Sequence, residues 1–234
     1  MSVLALIPAR GGSKGIPRKN LAVVDGLPMI AHSIRHARQC VAVSRVLVSS
    51  DDDEILAVAR EHGAETPFAR PRALAADDTL DLPVFAHALD WLQASEGYRP
   101  ELIVHLRPTA PLRRPGWLDA AVSLLLSRPD ADSLRSVSEV VQHPYRMFEK
   151  TTDGLLVPLL RDVGPTPYLL RRQNLPSMWY YNCVIDITRP DTVFGQQSMT
   201  GRRMLAFELP AEECFDVDTP RDLEVVRHFA PQFR

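Results

Sequence analysis

Short apolar runs of strand length alternate with stretches of helical character along nearly the whole of this chain, a rhythm that few folds accommodate. Strands are expected near Val3–Pro8, Arg45–Ser49, Leu102–Leu106, Ser133–Val137, Tyr181–Ile187 and Met204–Glu208. Helices are expected over Met29–Gln39, Asp52–His62, Leu82–Ala94, Pro115–Ser127 and Pro220–Phe229. The last has Thr219 as N-cap and Pro220 at the first helical position, a strong start signal. The pattern predicts an α/β fold with a mainly parallel, Rossmann-like sheet and helices on both faces. Between about Glu139 and Tyr180 the rhythm fails, and Pro144, Pro158, Pro165 and Pro167 mark an irregular excursion.

The first run, Val3 to Ile7, leads directly into a loop of unusual composition. From Arg10 to Lys19 the chain holds four cations, three glycines and no acid. Two of the three lysines in the chain, Lys14 and Lys19, lie here, against 24 arginines overall. Glycine lets backbone N–H groups approach an anion closely, and long basic side chains neutralise its charge, so the segment has the makings of a polyphosphate cradle at a strand end. The alternative is a solvated basic loop, in which the cations would have no use for the glycines beside them. Neither common nucleotide loop is present. A Walker loop needs Gly-Lys followed by Ser or Thr, whereas the order here is Ser13-Lys14-Gly15, and the G-x-G-x-x-G spacing is absent.

Composition narrows the function classes. A chain of 234 residues suits a single domain over 1–234 that buries its own core. The formal net charge is −2, and the local cations fit a small anion better than a nucleic acid. Cys40, Cys183 and Cys214 are odd in number and far apart, which signals neither a disulfide framework nor a zinc site and suits a reducing cytoplasm. The apolar run after Met1 is too short for a signal peptide or a membrane span, so no membrane partner is expected.

The loop resembles the N-terminal signature of the CMP-sialic acid synthetases, or N-acylneuraminate cytidylyltransferases. Further similar blocks follow in family order: SSDDDEIL (Ser49 to Leu56), ARPRALAADDT (Ala69 to Thr79), LRPTAPLR (Leu106 to Arg113), RRQNLP (Arg171 to Pro176) with Asn182, and FDVDTPRDL (Phe215 to Leu223). The resemblance implies a nucleotidyltransferase-type fold that moves CMP from CTP to a sugar acid and releases pyrophosphate. It also implies that the excursion, about residues 139–180, protrudes, forms a homodimer and caps the partner's acceptor site. Arg10, Ser13 and Lys19 match the family's phosphate contacts, and the amides of Gly11, Gly12 and Ser13 can assist them. Asn20 and Arg70 match positions at the ribose and cytosine. Without the resemblance, Arg70 reads as a surface charge in an Arg-Pro-Arg turn.

Asp216 and Asp218 flank Val217 at the expected end of a strand, which would turn both carboxylates to one face. Such a pair can meet a hard cation such as Mg²⁺, or can simply favour the positive end of the following helix. The resemblance favours the metal, and implies catalytic roles for Arg10, Lys19, Asp216 and Asp218. The acids Asp51 to Glu54 read instead as a helix start, with Ser50 and Asp53 as an N-cap box. His32, His36 and Cys40 fall on one helix face and read as a half-buried face rather than a metal site.

On the acceptor side the chain departs from what it resembles. Arg107 stands for a glutamine, Ala110 and Asp81 for serines, and Asn182-Cys183-Val184-Ile185-Asp186-Ile187 for Asn-Gly-Ala-Ile-Tyr-Ile, while Arg172 and Gln173 match the family pair. The acceptor-binding set implied is Arg107, Arg172, Gln173 and Asn182. An added arginine suits an anionic acceptor. Two acceptors remain open: a nonulosonic sugar acid attacking through its anomeric hydroxyl, and a small phosphonate attacking through an ionised oxygen. A nucleotide-binding protein without catalysis is the third reading.

Overall fold

The structure is a computed structural model and describes residues 2–164 and 166–233, so Met1, Arg234 and the excursion's Pro165 lie outside the described residues. The strands are β1 Val3–Pro8, β2 Val23–Val24, β3 Leu27–Pro28, β4 Arg45–Ser49, β5 Leu102–His105, β6 Ser133–Glu139, β7 Phe148–Lys150, β8 Leu156–Pro158, β9 Trp179–Thr188 and β10 Met204–Glu208. The α-helices are α1 Met29–Gln39, α2 Asp53–Glu61, α3 Asp81–Glu96, α4 Trp117–Leu126, α5 Pro190–Gly195 and α6 Pro220–Phe229. Six strands form the central sheet in the order β10-β6-β9-β5-β1-β4. All its pairings are parallel except those of β9, which runs antiparallel to both β5 and β6.

Alternation along β1 shows how the layers form. Val3, Ala5 and Ile7 pack with Ile30 and Ile34 of α1, Ile55 of α2 and Val122 of α4. Leu4 and Leu6 point to the other face and pack with Phe85, Leu89 and Leu92 of α3 and Val193 of α5. A strand with helices on both faces has no polar side to offer, which is why the run reads as uniformly apolar. Helix α6 packs through Leu223 and Val226 against Met29, Leu112 and Val217 in a smaller cluster.

Most expected elements are present, with ends that differ. β6 and β9 run longer than their apolar runs because they continue as an antiparallel ribbon, with Val137 opposite Tyr181 and Glu139 opposite Trp179. That ribbon is the stem of the excursion, whose 140–178 stretch holds the β7–β8 hairpin and three short 3-10 helices. Helix α2 is capped by Asp52, whose carboxylate accepts the Ile55 N–H, and not by Ser50. The Ser50 hydroxyl instead accepts the Asp52 N–H. Residues 214–218 form no strand, contrary to expectation. Alternation survives there because Val217 is buried and pinned, its N–H donating to the Thr109 carbonyl at 2.8 Å while Asp216 and Asp218 are exposed. The Thr219 cap is a full capping box with Asp222.

His32, His36 and Cys40 are buried rather than half-buried. The His32 Nε2 meets the Val24 carbonyl at 2.8 Å. Burial pushes the imidazoles of His32, His36 and His105 below their ordinary value, to about 3 for His36, where Arg113 and Arg35 add to the effect. These histidines fold neutral, while the unfolded chain takes up their protons near pH 6.5. The unfolded state then binds more protons, so stability is held above that pH and lost as pH falls through it. Denaturant unfolding between about pH 7 and pH 5 is expected to show this loss. His36→Leu should make the slope shallower by up to about 1.4 kcal/mol per pH unit at the acid end; an unchanged slope would refute the assignment.

Candidate functional site

Because β1, β4 and β5 are parallel neighbours, the loops that leave their carboxyl ends meet at one edge of the sheet. There they enclose a cleft of about 420 Å³, within the range of small-molecule sites. The loop after β1 supplies Arg10, Ser13, Lys14, Gly15, Lys19 and Asn20 to its lining. Other stretches add Arg70, Asp81, His105, Arg107 and Asp218.

Although the loop itself holds no acid, each of its cations is paired with a carboxylate from elsewhere in the chain. Arg10 and Lys14 both reach Asp77, at 3.0 and 2.7 Å, and Arg10 also donates to the Ala76 carbonyl at 2.8 Å. Arg18 turns away to Asp52 and Glu54. Lys19 Nζ donates to the Val217 carbonyl at 2.8 Å and to Asp218 Oδ1 at 3.0 Å, which ties the first loop to the D-x-D segment. The pairs at Asp77 are exposed and screened by water, so they hold the cations near the cleft without committing them.

Two of the glycines are required by close approach. A Cβ on Gly15 would lie 2.4 Å from the Asp218 carbonyl oxygen, and one on Gly11 would lie 2.7 Å from Asp52 Oδ2. The Gly11 N–H is already given to Asp51 Oδ1 at 3.0 Å, and neither Gly11 nor Gly12 lines the cleft. Asn20 is buried and donates from Nδ2 to the Arg10 carbonyl at 2.9 Å, holding the loop closed on itself. Arg70 is no surface charge: it is buried, donates from Nε to Ser49 Oγ at 3.1 Å and bonds the Ser49 carbonyl. Burial pushes its guanidinium below the ordinary value, so the carboxyl end of β4 presents a poorly solvated cation to the cleft.

The sites expected for the acceptor divide. Arg107 lines the cleft, with Nη2 on Asp81 at 2.9 Å and Nη1 on the fully buried Asp186. Burial alone would lower its guanidinium, but Asp186, Tyr181 and Asp81 hold it above its ordinary value. Arg172 and Gln173 are exposed in a 3-10 helix of the excursion and do not line the cleft. Asn182 is buried within β9, accepting from Ser136 Oγ and the Val184 N–H and donating to Ser138 Oγ of β6 at 2.9 Å, and it does not line the cleft. The next residue, Cys183, has φ 62°, a left-handed backbone that glycine adopts more readily than a residue with a Cβ.

Arg113, which ends the LRPTAPLR block and was not expected to matter, does not line the cleft but supports a segment that does. It is buried and donates to the carbonyls of Val184 at 2.9 Å and Arg107 at 3.1 Å and to Ser33 Oγ at 3.2 Å, which fixes the loop that carries Arg107. Asp81 and Asp186 were visible only as departures from a pattern. Their complementary charge to Arg107 was the signal that could have joined them.

Asp216 and Asp218 are exposed carboxylates that flank the buried Val217; Asp218 lines the cleft and Asp216 does not, and Asp216 has no hydrogen bond or ion pair among the described residues. Two hard oxygen donors of this kind fit Mg²⁺, which keeps several waters and takes one or two carboxylates together with phosphate oxygens.

Several known proteins are similar to this chain over nearly its whole length. The CMP-N,N'-diacetyllegionaminic acid synthase of Campylobacter jejuni is 30% identical over 226 residues, covering 96% of this chain and 93% of its own length. The pseudaminic acid cytidylyltransferases of two Campylobacter jejuni serotypes, O:2 and O:23/36, are 42% and 30% identical over 233 residues, covering 97% of this chain and 95% of theirs. Among solved structures, a CMP:2-keto-3-deoxy-manno-octonic acid synthetase complexed with CTP superposes with a TM-score of 0.72 at 19% identity, covering 99% of each chain, which bears on the fold. The family model described as Cytidylyltransferase matches residues 4–161, and the chain belongs to that family.

Proposed function

We propose that this protein transfers CMP from CTP to a nonulosonic sugar acid, giving a CMP-sugar and pyrophosphate. The observation that carries the reading is the convergence of Arg10, Lys19, Arg70 and Asp218 on one cleft, with Lys19 joining the basic loop to the D-x-D segment. The relatives named for legionaminic and pseudaminic acid support a sugar acid over a phosphonate as acceptor.

In this reading Arg10, Lys19 and the Ser13 region hold the triphosphate in line and take up charge on the departing pyrophosphate. Asn20 and Arg70 hold the nucleoside. The acceptor's anomeric oxygen attacks the α-phosphorus, the bond to the β-phosphate oxygen breaks, and the hydroxyl proton is released. Asp216 and Asp218 would hold Mg²⁺, which when bound offsets charge on the phosphate oxygens. Arg172 and Gln173, remote from their own cleft, would serve the cleft of a partner copy in a homodimer. Exposed Phe148, Leu155, Leu156, Leu169 and Trp179 on or beside the excursion are what such an interface would cover. We place the enzyme in the cytoplasm, where its thiols, unpaired as disulfides, stay reduced. No helix among the described residues is long and apolar enough to cross a membrane.

Pyrophosphate release from CTP and Mg²⁺, with products weighed by mass spectrometry, tests the reading across neuraminic, legionaminic and pseudaminic acids, an eight-carbon ulosonic acid and simple phosphonates. A CMP adduct of a nine-carbon acid is expected; turnover with a phosphonate alone would overturn the acceptor assignment. Asp218→Ala should lower kcat by about a hundredfold or more, with an unaltered melting temperature as control. Gly15→Ala should push the Asp218 backbone outward and weaken CTP binding, so equal CTP affinity by calorimetry would count against the close packing of loop and D-x-D segment.

A further inference from the structure

Four charged side chains run in a line through one wall of the cleft. Asp186 is fully buried on β9 and meets Arg107 Nη1, the Tyr181 hydroxyl and, at 3.4 Å, Arg135 Nη1. Arg107 Nη2 continues to Asp81 Oδ2 at 2.9 Å. Two cations face two carboxylates, so the line carries no excess positive charge. Its members differ in access: the Asp81 side chain at one end is 42% exposed, against 23% for Arg107, 0% for Asp186 and 11% for Arg135 at the other end.

Arg107 already holds two carboxylates, so an anion approaching its remaining N–H groups meets Asp81 beside it, and drawing the guanidinium away to a ligand would strip the buried Asp186 of a partner. The group left to the cleft is the Asp81 carboxylate. Its Oδ2 is committed to Arg107 and lies 3.8 Å from the His105 Nδ1, while its Oδ1 has no hydrogen-bond partner among the described residues. A carboxylate only accepts, repels other anions, and is matched by a neutral hydroxyl. The anionic parts of a ligand are drawn instead to Arg10, Lys14, Lys19 and Arg70.

We propose that Asp81 is the ligand-contacting residue of this wall, that it accepts a hydrogen bond from a hydroxyl of the bound ligand, and that Arg107 is a positioning residue for Asp81 rather than a ligand for the acceptor's carboxylate. The inference rests on the cytidylyltransferase reading for the identity of the ligands. The hydroxyl has two possible sources, the ribose of CTP and the sugar acid.

Binding calorimetry on the whole chain separates them and does not require turnover, so a protein that binds without catalysis would defeat the function reading alone. The probes are CTP, 2′-deoxyCTP, and pseudaminic acid added to the CTP-bound protein. With Asp81→Ala, and with Asp81→Asn as the shape-preserving control, affinity should fall about tenfold for the ligand that donates the hydroxyl. A ribose donor gives a loss on CTP; an acceptor donor leaves CTP unchanged and weakens pseudaminic acid. Arg107→Gln should reproduce the Asp81→Ala loss and lower the melting temperature, because Asp186 loses a partner. Adding Asp186→Asn should restore the melting temperature without restoring the affinity. Unchanged affinity of the Asp81 variants for every probe, including the case in which pseudaminic acid binds none of the proteins, overturns the proposal. So does a loss of pseudaminic acid affinity in Arg107→Gln that Asp81→Ala does not share, or a double variant that recovers both stability and affinity.

Discussion

Strand β1 is the constraint from which the site follows. It pairs in parallel with β4 on one side and β5 on the other, and helices cover both its faces. Such a strand must be apolar throughout, and it carries three carboxyl-end loops to the same edge of the sheet. The basic loop, Arg70 with its bonds to Ser49, and the Arg107 segment thus become neighbours although they are far apart in the chain.

Electrostatic balance organises the cleft around that frame. Each cation of the first loop finds a carboxylate, and the pairs at Asp77 lie where water weakens them. Deeper pairs are of another kind. Asp186 lies wholly inside the protein, and its neutralisation by Arg107 and Arg135 is a condition for burying it. Arg113 makes that arrangement rigid by holding the Arg107 carbonyl and the Val184 carbonyl together. Exposed pairs can give way to a ligand, whereas buried ones set the shape of the wall it meets.

Much of this was legible in the amino-acid order. The expected Val3–Pro8, Arg45–Ser49, Met29–Gln39, Met204–Glu208 and Pro220–Phe229 have the bounds observed. Periodicity and end signals are local, and these elements carry both. The short hairpins and α5 were not expected, having too few residues to show a period. The D-x-D segment was expected to end a strand, yet its alternation comes from a single buried Val217 held by Thr109 and Lys19, contacts no local pattern reports. Arg70 shows the same limit, since an Arg-Pro-Arg turn reads as surface until the ends of β4 and the Leu74 turn close over it.

The sequence by itself determined the α/β class, the position of the basic loop at the end of a buried strand, and the local clusters of cations and of the Asp216 and Asp218 carboxylates, because apolar period and local charge are properties of neighbouring residues. Only the tertiary structure decided which charges meet. It paired Arg107 with Asp81 and Asp186, gave the Gly11 amide to Asp51, tied the Asn182 side chain to Ser136 and Ser138 of β6 and left Arg172 and Gln173 outside the cleft. Each of these depends on distances between segments tens of residues apart, which sheet order and helix packing set and sequence spacing does not encode.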